Sequence, residues 1–200
     1  MRARRTVIVF LKAPRLGQVK TRLARAIGAV EATRFHRAMA ASLIRRLARD
    51  RRWRTVLCVA PRSGLRHRDI PGMGLQRVAQ GQGNLGRRMA RALRRCGIRP
   101  AVLVGTDIPG LTPAVIARAF HLLAGHDGVF GPAADGGFWL VGLRGREPRF
   151  AGVRWSTRHA LADTLAGLGA ARIALLDKLE DIDTPADYRR WRSRSRQHAL

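Results

Sequence analysis

The feature that most constrains this chain is the alternation, along its length, of short apolar runs with amphipathic segments. Residues 6–11 (TVIVFL) are nearly continuous and β-branched, the pattern of a strand buried on both faces. Strand patterns recur at 55–60 (TVLCVA), 75–80 (LQRVAQ), 101–105 (AVLVG), 128–132 (GVFGP), 137–143 (GFWLVGL) and 171–176 (ARIALL). Helical patterns lie between them. In 31–50, Phe35, Met39, Leu43 and Leu47 repeat every four residues, and Arg34, Arg37, Arg45 and Arg49 lie largely off that stripe. Segment 84–97 opens on Asn84 as N-cap and stops at Gly97. Another helix opens on Thr112, with Pro113 at its first position. Segments 156–169 and 184–192 are also helical, the last repeating the Thr-Pro start. Strands alternating with helices predict parallel β/α units in a three-layer α/β sheet. With no repeat or linker evident, a single domain is expected over 1–192, followed by a basic, flexible tail at 193–200.

In such sheets ligands bind at the carboxyl ends of the strands, and this selects the candidate residues. Asp107 follows the run AVLVGT directly, so its carboxylate is expected in that crevice, placed to ligate Mg²⁺. It reads alternatively as a cap on the next turn. Asp181 and Asp183 alternate in LEDIDTPADY; in an extended segment both point one way and make a divalent site. Asp183 or Thr184 equally caps the helix that starts at Pro185. Asp135 in AADGG reads as a hairpin turn. Residues 10–23 (FLKAPRLGQVKTRL) form a basic turn from the first strand into a helix. It is no P-loop, because Val19 stands where glycine must precede the lysine. Helix N–H groups and basic side chains there suit a polyphosphate. GQGNLG (81–86) is a second Gly-rich helix entry, without the rest of a dinucleotide fingerprint. The histidines form no metal or triad grouping.

The net charge of +26, with 39 basic and 13 acidic residues, attracts any polyanion. An arginine-rich composition with solvated side chains produces the same figure, so charge identifies no partner. Cys58 and Cys96 have no metal-ligand spacing and read as reduced thiols. No run reaches the ~18 to 20 apolar residues of a membrane helix. MRARR followed by TVIVFLKAP imitates the start of a signal peptide, but no small-residue cleavage site follows, so a cytoplasmic protein is expected.

The ordered set FLKAPRLGQVKTRL, QGQGNLGRRM, VGTDIPGLTP, GPAADGGFWLVGL, WSTRHAL and DIDTPADY resembles a bacterial family of uncharacterised transferases. These have a glycosyltransferase-A (GT-A) fold and are often labelled glycosyltransferase or radical-SAM/selenodomain-associated transferase. The resemblance spans about 6–191. It implies a Rossmann-like nucleotide-diphospho-sugar transferase fold with a mostly parallel sheet, related to the molybdopterin and phospholactate guanylyltransferases. It also implies roles. Lys12, Gly17, Lys20 and Arg22 would grip a diphosphate or triphosphate, Lys20 and Arg22 most directly. Gln80, Gly81, Leu85 and Gly86 would lie near base or ribose. Asp107 would be the main ligand of Mg²⁺ (or Mn²⁺), with Asp183 and Asp181 completing the site. Gly136 and Gly137 would face the acceptor. The family pattern is more acidic at Gln82, Asn84, Arg87 and Ala134, which makes this cleft more basic.

The expected activity is a metal-dependent transfer from a nucleotide-phosphate donor, an NTP or a sugar nucleotide, to a small acceptor. It takes two forms, glycosyl transfer and nucleotidyl transfer with pyrophosphate leaving. Asp107 is followed by Ile108 and Pro109 rather than completing a D-x-D pair, and this leans toward nucleotidyl transfer; the family label leans the other way. The competing class is a non-catalytic nucleic-acid or polyanion binder, supported by the charge and by RRWRSRSR (189–196). The 6% aromatic content leaves it few stacking platforms.

Overall fold

The computed structural model describes residues 5–96, 100–144 and 150–197. Seven strands form one sheet: β1 Thr6–Lys12, β2 Arg54–Ala60, β3 Gln76–Ala79, β4 Ala101–Val104, β5 Gly128–Pro132, β6 Phe138–Leu143 and β7 Ile173–Leu175. The spatial order is β3-β2-β1-β4-β6-β5-β7. All neighbours are parallel except β6, which runs antiparallel between β4 and β5. The mostly parallel three-layer expectation therefore holds.

Among the described residues, five α-helices lie between strands and a sixth follows β7: α1 Thr21–Ile27, α2 Ala29–Arg49, α3 Leu85–Arg94, α4 Pro113–Gly125, α5 Ala160–Leu168 and α6 Pro185–Gln197. Side-chain alternation along the strands sorts them into two layers. Val7, Val9 and Leu11 of β1 point to the face covered by α2 (Leu43, Leu47) and α4 (Ile116, Phe120). Ile8 of the same strand points to the opposite face, under Met89 and Leu93 of α3 and Leu168 of α5. The runs read as continuously apolar because both faces are covered. Cys58 and Cys96 are buried in the second core, and burial pushes the Cys58 thiol up to about 11.

Helix starts follow the expected chemistry. Asn84 Oδ1 accepts from Arg87 N at 2.9 Å, and Thr112 Oγ1 accepts from Val115 N at 3.4 Å. The expected stop at Gly97 lies outside the described residues. Helix α6 runs on to Gln197, so residues 193–197 of the expected tail are helical, and 198–200 lie outside the described residues. Among the described residues no helix is long and apolar enough to cross a membrane.

Candidate active site

The loop after β1 delivers Lys20 to the carboxyl ends of the strands. Lys20 precedes α1 with φ 50° and ψ 42°, a left-handed conformation that is unfavourable for a residue with a Cβ. Its side chain is only 3% exposed. The ammonium donates to Ile182 O at 2.6 Å and lies 2.8 Å from Asp107 Oδ2 and 3.6 Å from Asp183 Oδ1. Three acceptors thus surround a group with three N–H donors, which compensates its removal from water.

Asp107 follows β4. Its backbone C=O accepts from Ile182 N at 3.1 Å, tying β4 to the segment after β7. His36, buried on α2, places Nδ1 3.6 Å from Asp107 Oδ1, and its Nε2 lies 3.1 Å from Lys12 O. A carbonyl only accepts, so Nε2 carries a proton in this contact. Burial works against the Asp107 charge, but His36 and Lys20 outweigh it and hold the carboxyl well below its usual range.

Two cavities flank Asp107. One, of about 230 Å³, is lined by Lys12, Lys20, His36, Gln80, Arg88 and Asp183. The other, of about 260 Å³, is walled by Asp135, Asp181, Phe138, Trp155 and Ser156. Asp107, Leu85 and Gly105 border both. A larger hollow of about 480 Å³ lies between α1 and α6, lined by Ala26, Ile27, Tyr188 and Arg192. It carries no carboxylate and none of the strand-end groups.

Of the residues expected at the site, Lys12, Lys20, Gln80, Leu85, Asp107 and Asp183 come together around the first cavity. Arg22 is exposed and reaches Asp183 Oδ2 at 3.4 Å. Asp181 and Asp183 do not share a side: Asp181 lines the second cavity and Asp183 the first. The alternation argument assumed a strand, and 180–183 is not one; the last sheet contact there is the bridge of Leu179 to Ala133. Among the described residues no three His, Cys, Asp or Glu side chains gather as a metal cluster.

The glycines divide. Gly137 lines the second cavity. Gly17 is exposed and lines neither. A Cβ on Gly86 would lie 2.7 Å from Phe150 Cβ and 2.7 Å from Trp155 Cζ2, so packing alone requires a glycine here. Gly136, at φ 84°, lies against the Arg158 backbone, and its carbonyl accepts from Leu161 N at 3.0 Å. Gly81, at φ 81°, is covered by Arg91, which donates to Gln80 O at 2.9 Å and Gln82 O at 3.1 Å. Gln80 is structural as well as cavity-lining, donating to Leu11 O and Cys58 O, both at 3.1 Å.

Sequence reasoning missed His36, Arg88, Asp135 and Trp155. Arg88 donates to Gln80 Oε1 at 2.9 Å from the cavity wall. Asp135 does make the expected turn, accepting from Gly137 N at 2.8 Å, and also faces the second cavity. Burial, and then Asp135, push the Asp181 carboxyl above its ordinary value. The exposed Arg22 aside, cations line one side of Asp107, and on the other stand two acids with no ion-pair partner among the described residues.

Solved structures share this architecture. A protein provisionally named a nucleotide-diphospho-sugar transferase, from Desulfovibrio desulfuricans G20, is 28% identical over 92% of this chain and 84% of its own, with a TM-score of 0.83. Rv0371C of Mycobacterium tuberculosis, solved with manganese, is 20% identical over 94% of this chain and 97% of its own, with a TM-score of 0.56. CMP:2-keto-3-deoxy-manno-octonic acid synthetase, solved with CTP, is 10% identical over 98% of this chain and 99% of its own, with a TM-score of 0.61. No curated protein matches the chain in sequence. The fold is that of nucleotide-using transferases, of both the sugar-transferring and the nucleotidyl-transferring kind. With residues 43–157 matching its pattern, the chain belongs to the bacterial family described as "Uncharacterized protein conserved in bacteria (DUF2064)".

Proposed function

We propose that this protein is a divalent-cation-dependent transferase with a nucleotide-phosphate donor, acting at Asp107. The observation that carries this reading is the convergence of Asp107 and Asp183 on one cation, the Lys20 ammonium, at 2.8 and 3.6 Å. Carboxylates that already share a positive charge, beside a cavity lined by Lys12 and Arg88, suit a metal and a polyphosphate together. The donors fit Mg²⁺ or Mn²⁺, which are commonly held by one or two carboxylates, with waters and substrate phosphates supplying the rest. Asp107 and Asp183 would hold the ion, which when bound supplies charge neutralisation of the leaving phosphates. Asp181 belongs to the acceptor side.

The chain's own groups would divide the remaining work. Lys12, Lys20 and Arg88 bind phosphate oxygens by charge. His36 and the Ile182 carbonyl fix Asp107 and Lys20 in place, so less reorganisation is needed when charge develops. Gln80 holds the first cavity's rim through β1 and β2.

Donor binding is tested by thermal shift with NTPs, NDPs and sugar nucleotides, in Mg²⁺, Mn²⁺ or EDTA at moderate salt. A specific ligand at 100 times its Kd stabilises by roughly 2.7 kcal/mol. The expected result is a metal-dependent shift that Asp107→Asn abolishes. Equal shifts for every polyanion, indifferent to EDTA, would instead establish a polyanion binder. Between the two forms of transfer, we favour glycosyl transfer, supported by the relative from Desulfovibrio desulfuricans. Nucleotidyl transfer is the second reading, supported by the lysine and arginine content of the first cavity. Release of a nucleoside diphosphate or of pyrophosphate separates them.

A further inference from the structure

Lys and Arg make up 39 of the 200 residues. Among the described residues none of them lines the cavity of about 260 Å³ beside Asp107. The adjoining cavity carries Lys12, Lys20 and Arg88. The contrast does not come from a local shortage of arginine. Arg154 and Arg158 bracket the wall residues Trp155 and Ser156 in sequence. Arg154 is turned onto Asp163, with Nε and Nη2 donating to its carboxylate at 2.9 and 2.8 Å. Arg158 is exposed, its Nε 3.4 Å from His159 Nε2.

What lines the cavity is acidic and aromatic. Neither Asp135 nor Asp181 has an ion-pair partner among the described residues. Asp107 turns Oδ2 toward Lys20. Trp155 meets Phe138 edge-on with ring centroids 6.1 Å apart and is backed edge-on by Phe150 at 6.0 Å, which holds the indole in place in the cavity wall. The wall also contains Trp139, 4% exposed, whose buried indole N–H has no partner among the described residues, and the exposed Ser156. A phosphate or carboxylate entering here would face Asp135 and Asp181 with no cation on the cavity wall among the described residues; Lys20, whose charge reaches Asp181, is already held by Asp107. A hydroxyl can donate to a carboxylate, an ammonium can pair with it, and an apolar face can lie on the indole.

We infer that this cavity is an acceptor subsite for a compound whose entering end is a hydroxyl or an ammonium group beside an apolar face, and that it rejects phosphate-bearing and carboxylate-bearing acceptors. This rests on the transferase reading. It deepens that reading by naming the acceptor class, and it sets this chain apart from an enzyme that transfers a nucleotide onto a phosphate.

The test uses probes that share one ring: phenyl β-glucoside, phenethylamine and phenyl phosphate. Each is titrated into the ¹⁵N-labelled protein in roughly 0.3 M salt, where screening confines nonspecific attraction to within ~6 Å. The indole N–H resonance of Trp155 is the readout, assigned with Trp155→Phe or, should that variant not fold, by sequential backbone assignment. The expected result is that the neutral and cationic probes shift this resonance and phenyl phosphate does not. Asp135→Asn should weaken phenethylamine by about fivefold, the upper range for a part-exposed pair, while sparing phenyl β-glucoside. Phenyl phosphate shifting Trp155 as tightly as the others overturns the inference. So does silence from the other two probes up to about 10 mM, where a 1 mM Kd would be near saturation. Donor binding is measured separately. A nucleotide that needs Asp107, together with a phosphate probe that wins at Trp155, defeats this inference alone. Failure of every nucleotide defeats the transferase reading, whatever Trp155 does.

Discussion

The Lys20 ammonium stands 2.8 Å from Asp107 Oδ2, joining the loop after β1 to the carboxyl end of β4. The same ammonium lies 3.6 Å from Asp183 Oδ1. Replacing it with an isosteric apolar chain, Lys20→Met, leaves both carboxylates facing each other. A fully buried pair broken this way costs about 3–5 kcal/mol. The Asp107 side chain is 38% exposed and partly screened, so we expect a loss of about 1–3 kcal/mol. Urea unfolding measures it, and nucleotide affinity should fall about tenfold or more, the worth of one charge-assisted contact.

The pH dependence has a definite sign. The folded Asp107 carboxyl is held below its ordinary value of 3.8. Its contribution to stability is present in full above the unfolded value and is lost as pH falls below that value toward the folded one. Asp107→Asn removes this contribution. The stability gap between wild type and Asp107→Asn should therefore be widest at about pH 7 and narrower at about pH 3. Parallel denaturation curves at the two values decide it; a gap that widens in acid contradicts the assignment.

Asp181 and Asp183 are two residues apart but line different cavities. Asp183→Asn is expected to weaken Mn²⁺-dependent nucleotide binding by about tenfold or more. Asp181→Asn should leave it within about twofold while changing acceptor kinetics. Titration calorimetry with metal and nucleotide checks the first, and the split between acceptor KM and kcat checks the second.

Gly86 tests packing against ligand contact. Its added methyl would meet Phe150 and Trp155 at 2.7 Å. Gly86→Ala should cost about 1–3 kcal/mol, as overpacking does. Nucleotide affinity of the folded fraction should be unchanged. A stable Gly86→Ala protein that has lost nucleotide binding would return this residue to the ligand.

The sheet was legible because its strands are buried on both faces, which turns β-branched runs such as 6–11 into unmistakable signals. Asp107 and Lys20 were legible by place: one ends a buried strand, the other opens the first helix. His36 was not, because it sits in α2 between Phe35 and Arg37 and only the fold carries its ring to Lys12 and Asp107. Arg88 was hidden in a surplus of arginines. Gly86 and Gly136 are ambiguous in the sequence for a simple reason. A glycine that admits a neighbouring side chain or backbone reads the same as one that admits a ligand. Asp181 was misplaced because alternation was applied to a segment that had already left the sheet.

The contact of Lys20 with the Ile182 carbonyl spans 162 residues. A ribosome working from the amino terminus therefore releases the lysine long before Ile182 and Asp183, two of its three acceptors. Until those two residues emerge, the nascent chain carries a basic loop and Asp107 without Ile182 or Asp183 to complete their grip. Domains form as units once their distant parts are present. In this fold, competence at Asp107 waits on residues 182 and 183: a product ending before residue 182 keeps its basic loop but not its carboxylate pair.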